Sequence, residues 1–98
     1  MRSKYINRMM PRIDKIVLDI AKGGVYQQKH CLLDLVNEDM ANALMQLAGT
    51  KGWREVQTDE AKENGFVELA EWAMPETDVL ILIDDRYLVC LNRSMKNN

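Results

Sequence analysis

Residues 79–91 read Val-Leu-Ile-Leu-Ile-Asp-Asp-Arg-Tyr-Leu-Val-Cys-Leu. Two apolar runs, Val79–Ile83 and Tyr87–Leu91, flank Asp84, Asp85 and Arg86. The direct reading is a β-hairpin: branched side chains suit a pleated backbone, and Asp closes turns by bonding the backbone beside it. Neither run alternates apolar with polar residues, so both faces of the hairpin are expected to be covered. Asp84 and Asp85 are read as turn residues. A two-metal site at the end of a strand needs further inward-facing acids, and no second set stands at a defined spacing.

Working outward from the hairpin, residues 59–74 follow Thr58, a capping residue, and open with Asp59 and Glu60. Phe66, Leu69, Ala70 and Ala73 recur at helical spacing, and Met74–Pro75 ends the run. The pattern predicts a helix over 59–74, bent or broken near Gly65. Before it, Trp53–Gln57 reads as a short strand. Asn37 is a good N-cap, Glu38 and Asp39 put acids in the first turn, and Met40, Ala43, Leu44 and Leu47 form one stripe. Gly49 and Gly52 mark the end, which predicts a helix over 38–49.

Nearer the start, Ile13, Ile16, Val17 and Ile20 stand at i, i+3, i+4 and i+7. Pro11 suits the first turn of a helix, where its missing N–H costs nothing, and Gly23–Gly24 stops the element. A helix over 11–22 is expected, preceded by a separate helical stretch over 3–10 and followed by a strand near 30–35. The expected core contains Ile16, Ile20, Leu44, Leu47, Leu69, Ile81 and Val89.

These elements make an α+β chain, with about three helices and a C-terminal antiparallel hairpin. The order helix, weak strand, helix, helix, strand, strand resembles that of a winged-helix domain. The competing arrangement adds Trp53–Gln57 as a third strand beside the hairpin. A length of 98 residues bounds the chain to one domain, 1–98, with a frayed polar tail over 94–98. Charged residues make up 29% and hydrophobic residues 47%, which is globular rather than disordered composition. The longest charge-free stretch, Met40 to Thr50, falls well short of the roughly 20 residues that span a bilayer, so no membrane partner is expected. The basic start is broken by Asp14, Lys15 and Asp19 and is read as part of the folded chain rather than a secretory leader.

Cys31 and Cys90 match no metal or redox spacing and are expected to be reduced core thiols of a cytoplasmic protein. His30 adjoins Cys31, but neighbouring strand residues point to opposite faces, which weakens a nucleophile–base pair. The chain contains no phosphate-binding glycine loop, no zinc-binding His-Glu-x-x-His and no nucleophile elbow. The residues therefore point away from an enzyme, with no cofactor, no metal and no catalytic residue expected.

Charge is the one strongly patterned property. The net charge of −2 conceals three blocks. Residues 1–30 set seven basic against two acidic side chains, residues 31–85 set three basic against thirteen acidic ones, and residues 86–98 carry three basic side chains and no acid. Such a chain is dipolar. The acids concentrate around 59–74, where Asp59, Glu60, Glu63, Glu68 and Glu71, with Trp72 as an aromatic anchor, form a candidate surface for a basic protein partner. A solvated face is the plainer interpretation of the acids, and a core position that of Trp72. The expected function is that of a small inhibitor or adaptor of the immunity, antitoxin or phage-inhibitor type. The alternative is a DNA-binding regulator that meets nucleic acid through Arg2, Lys4, Arg8, Arg12, Arg86 and Arg93.

Overall fold

A computed structural model describes residues 2–31, 37–66, 68–84 and 87–96. Three α-helices, α1 (Arg2–Ala21), α2 (Asn37–Lys51) and α3 (Glu60–Glu63), accompany five strands. The strands are β1 (Gln27–Cys31), β2 (Arg54–Glu55), β3 (Glu68–Ala73), β4 (Val79–Asp84) and β5 (Tyr87–Asn92). They form one antiparallel sheet in the order β1-β5-β4-β3-β2. The fold class is α+β, as the hairpin and helical stripes require.

The hairpin is the centre of that sheet. Ile81 pairs with Cys90 and Leu82 with Val89. Val79, Ile81, Ile83, Leu88 and Cys90 lie against Ile13, Val17 and Ile20 of α1 and Ala43, Leu44 and Leu47 of α2. Leu80, Leu82, Val89 and Leu91 face the other way and are buried with Ala61, Val56 and Phe66. A strand without alternation is therefore apolar on both sides because both sides are covered. Of the expected core, Ile20, Leu44, Leu47, Ile81 and Val89 are buried and Ile16 is half-buried against the same cluster. The side chain of Leu69 lies outside the described residues.

Residues 59–74 do not form the expected helix. Gly65, at φ +80°, takes the left-handed conformation that ends α3 after one turn. The N–H of Phe66 donates to the carbonyl of Ala61 at 2.8 Å and that of Gly65 to Lys62 at 3.1 Å, the bonding of a Schellman cap. The chain then runs along β4, with Trp72 opposite Ile81 and Glu71 opposite Leu82. A buried strand needs partners for the peptide groups along both its edges. β5 satisfies one edge of β4, and β3 supplies the other. The element order that resembled a winged helix depended on a long helix here, and a strand takes its place.

Smaller differences have local causes. α1 runs unbroken through Pro11. Pro11 is exposed, on the side where water can replace the helical bond that proline removes. β1 begins earlier than expected, and residues 32–36 lie outside the described residues. β2 is a two-residue strand that pairs with β3 rather than with the hairpin. α2 ends as expected at Gly52, φ +73°, with the N–H of Trp53 donating to the carbonyl of Ala48 at 3.0 Å.

The start of the expected frayed tail is tied down. Arg93–Met95 form a 3₁₀ turn capped by Asn92. Asn92 is buried, and its amide donates to the carbonyl of Ile20 at 3.0 Å, which fastens the end of β5 to the end of α1. Among the described residues no helix is long and apolar enough to cross a membrane.

Candidate functional site

The candidate acids divide into those that hold the fold and those that meet solvent. Residues 56–66, with α3 inside them, form a cover over the sheet face turned away from α1 and α2. Glu71 lies beneath this cover at 1% exposure. Its Oε1 accepts from the N–H of Thr58 at 3.0 Å and its Oε2 from the Thr58 hydroxyl at 2.6 Å. A buried carboxylate is tolerated when donors satisfy it, so Glu71 acts as a tether for the cover and is not offered to a partner. The strand pairing explains this placement, since Glu71 shares a face with Leu82, its neighbour on β4.

Trp72 is corrected from anchor to core. The next position along β3 faces the helices, and its ring is 4% exposed among Leu44, Ile81 and the rest of the helix-side cluster. Glu68 opposes Asp84 in the β3–β4 register, and its side chain lies outside the described residues.

Glu60 and Glu63 belong to a polar network at the other end of the cover. The Tyr26 hydroxyl donates to Glu60 Oε2 at 2.8 Å, and the Asn64 amide donates both to the Tyr26 oxygen at 2.9 Å and to the Glu60 carbonyl at 2.8 Å. Lys96 reaches Glu63 at 3.2 Å and Glu60 at 3.6 Å. Burial pushes the Tyr26 hydroxyl above its usual range, with the Asn64 bond pulling against it and Glu60 adding to the rise. The bond to Glu63 raises Lys96. Sequence reasoning singled out none of Tyr26, Thr58, Asn64 and Lys96 as partners of these acids. Their contacts span long chain separations, and no local pattern announces them.

What remains for solvent on the cover is Asp59 and Glu63, both exposed, with Lys62 beside them. Glu55 is also exposed but stands opposite Trp72 on β3, on the helix-side face. On the opposite side of the molecule α1 presents Arg8, Arg12, Lys15 and Lys22. Asp19 bridges Lys15 at 2.8 Å and Lys22 at 3.9 Å, and the Lys15 bond holds its carboxyl below the usual range. The exposed cations of α1 and the exposed acids of the cover therefore lie on opposite sides of the sheet, while Lys96 of the C-terminal basic block pairs with Glu60 and Glu63 on the cover. The candidate cations are not gathered in one place: Arg2 and Lys4 lie on α1 with undescribed side chains, Arg93 follows β5, and Arg86 lies outside the described residues.

The thiol is sequestered. Cys90 is free and buried, and burial pushes it up to about 12, far from a nucleophilic thiolate at neutral pH. His30 bonds Gln28 at 3.2 Å, and Cys31 occupies the next position of β1, opposite Tyr87. Among the described residues no three His, Cys, Asp or Glu side chains are grouped to hold a metal ion. No protein-family model matches the chain, and neither a curated protein nor a solved structure is significantly similar to it.

Proposed function

We propose that this chain is a non-enzymatic binding protein, a small intracellular inhibitor or adaptor that meets a basic surface on another protein. The observation that carries this reading is the exposure of Asp59 and Glu63 on the cover, across the sheet from the basic face of α1. Opposite charge steers association over a Debye length of roughly 8 Å at physiological salt. The cover is held to the sheet by the Thr58–Glu71 bonds and the Tyr26–Glu60–Asn64 network. Glu60, Glu71 and Trp72 leave the expected interface, and Asp59 and Glu63 remain in it. The intracellular placement follows the sequence, whose two cysteines match no disulfide framework. By size and charge the protein compares with immunity proteins, antitoxins and phage-encoded inhibitors as a class.

The experiment captures partners from host lysate with the wild type and with an Asp59→Asn, Glu63→Gln variant, then measures association at two ionic strengths. A partner that binds wild type faster at low salt, and loses that advantage in the variant, supports the reading. Equal rates at low salt reduce these acids to a solvated face.

A second reading is favoured by one observation, the exposure of Arg8, Arg12, Lys15 and Lys22 along a single side of α1. Such a stripe suits a phosphate backbone. Anisotropy of labelled random duplex DNA separates the two. Binding that falls steeply with salt supports the second reading, and absence of binding leaves the first.

A further inference from the structure

Arg54 and Arg93 are far apart in sequence, yet both line one cleft of about 330 Å³ at the end of the sheet, together with Met74, Pro75, Glu76 and Thr77. The cleft forms where the start of β2, the β3–β4 turn and the 3₁₀ turn after β5 converge. Most other described cations are engaged. Lys15 and Lys22 face Asp19, Lys51 faces Asp14, Lys96 faces Glu60 and Glu63, and Lys29 lies over the Tyr87 ring. Arg54 and Arg93 form no ion pair among the described residues, although the carboxylate of Glu76 lines the same cleft.

The walls are built rather than loose. The N–H of Met74 donates to the carbonyl of Val79 at 3.0 Å, the Thr77 hydroxyl donates to the carbonyl of Met74 at 2.9 Å, and the N–H of Arg93 donates to the carbonyl of Asp78 at 2.9 Å. Within this turn Glu76 is held at φ +62°, the only non-glycine among the described residues with a positive φ. A left-handed glutamate costs energy and persists only where its surroundings impose it, and such strain clusters at ligand sites.

We infer that this cleft binds a small organic oxyanion, a carboxylate or a phosphate ester. Its charged end would sit between the guanidiniums of Arg54 and Arg93 and its apolar body against Met74 and Pro75. Guanidinium forks match both anions in geometry, and a cleft of about 330 Å³ has room for a small molecule. The site is separate from the acidic cover and does not depend on the function proposed above.

The test is an amide NMR titration of the full chain with inorganic phosphate and, separately, with butyrate, at constant ionic strength in chloride. The expected result is saturable shifts at Gly52, Arg54, Met74, Thr77 and Arg93, with the amides of α1 unmoved. Tighter binding of butyrate assigns a carboxylate ligand, and tighter binding of phosphate assigns a phosphate ester. Arg54→Gln and Arg93→Gln should each weaken binding by about tenfold, the value of one charge-assisted hydrogen bond, whereas Lys15→Gln should not change it. Both arginines are exposed, so the variants should keep the wild-type spectrum elsewhere. Shifts that never saturate, that follow α1, or that survive in the double arginine variant overturn the assignment.

Discussion

The two faces of the sheet are equally buried and differently built. On one, α1 and α2 lay Ile13, Val17, Ile20, Leu44 and Leu47 on Ile81, Ile83 and Leu88, so the cover is helical by its own periodicity and adheres through apolar area. On the other, Leu80, Leu82, Val89 and Leu91 are shielded by an irregular segment that contributes Val56, Ala61 and Phe66, with Tyr26, Ala73 and Tyr87 packed at the margins. That segment is fastened by polar bonds, from Thr58 to Glu71, from Tyr26 and Asn64 around Glu60, and from Lys96 to Glu63. A sheet can therefore have both faces dry while only one of them carries a self-organising layer. The helix side is expected to unfold with the whole molecule, and the polar-fastened side to open locally.

The largest test strikes the helix side. Leu44→Ala removes a fully buried side chain and should cost about 2–5 kcal/mol, read as a lower urea midpoint common to every probe. Glu71→Ala strikes the other side. Losing both acceptors of Thr58 should cost about 1–3 kcal/mol, with amide exchange accelerating over 56–66 while Ile13 to Ile20 stay protected. Uniform loss of protection in this variant would break the comparison, since it would make the two covers one cooperative unit. Glu71→Gln, which keeps one acceptor, should lie between Glu71→Ala and wild type.

A pH experiment probes the helix side more gently. The thiol of Cys90 is raised from 9.0 to about 12, so the folded chain keeps a proton that the unfolded chain releases. Stability from this group is present below pH 9 and falls as pH rises toward 12, by about 1.4 kcal/mol per pH unit. Wild type should lose stability over this range more steeply than Cys90→Ala in urea titrations, and parallel curves would show the thiol to be hydrated. The smallest effect is expected at the rim of the cleft. Glu76→Gly relieves a left-handed side chain at the expense of a more flexible unfolded chain, a balance of at most about 1 kcal/mol in favour of the variant. A lower thermal midpoint would mean that the glutamate side chain contributes to the turn.

Several elements could be read from local pattern alone, although the break expected at Pro11 does not appear. The stripe Ile13, Val17 and Ile20 describes one side of a helix within a few turns, and Ala43, Leu44 and Leu47 with the stop at Gly52 describe another. The runs flanking Asp84–Asp85 describe two strands covered on both faces. Each depends on neighbours along the chain, through side-chain period and the backbone conformation that glycine allows. The charge blocks were equally legible, but the fold does not keep them apart, since Lys96 of the basic C-terminal block pairs with Glu60 and Glu63 of the acidic one. The spacing of Phe66, Leu69, Ala70 and Ala73 fits a helix as well as it fits nothing else, and only the open edge of β4 made residues 68–73 a strand. That one pairing decided that Trp72 is core, that Glu71 is a buried tether, and that the acids of 59–74 are dispersed. Thr58 meets Glu71, Lys96 meets Glu63 and Arg54 shares a cleft with Arg93 only after the sheet has formed. Hydrogen-bond demand along a strand edge and the meeting of distant segments are properties of the assembled chain, and no window of sequence contains them.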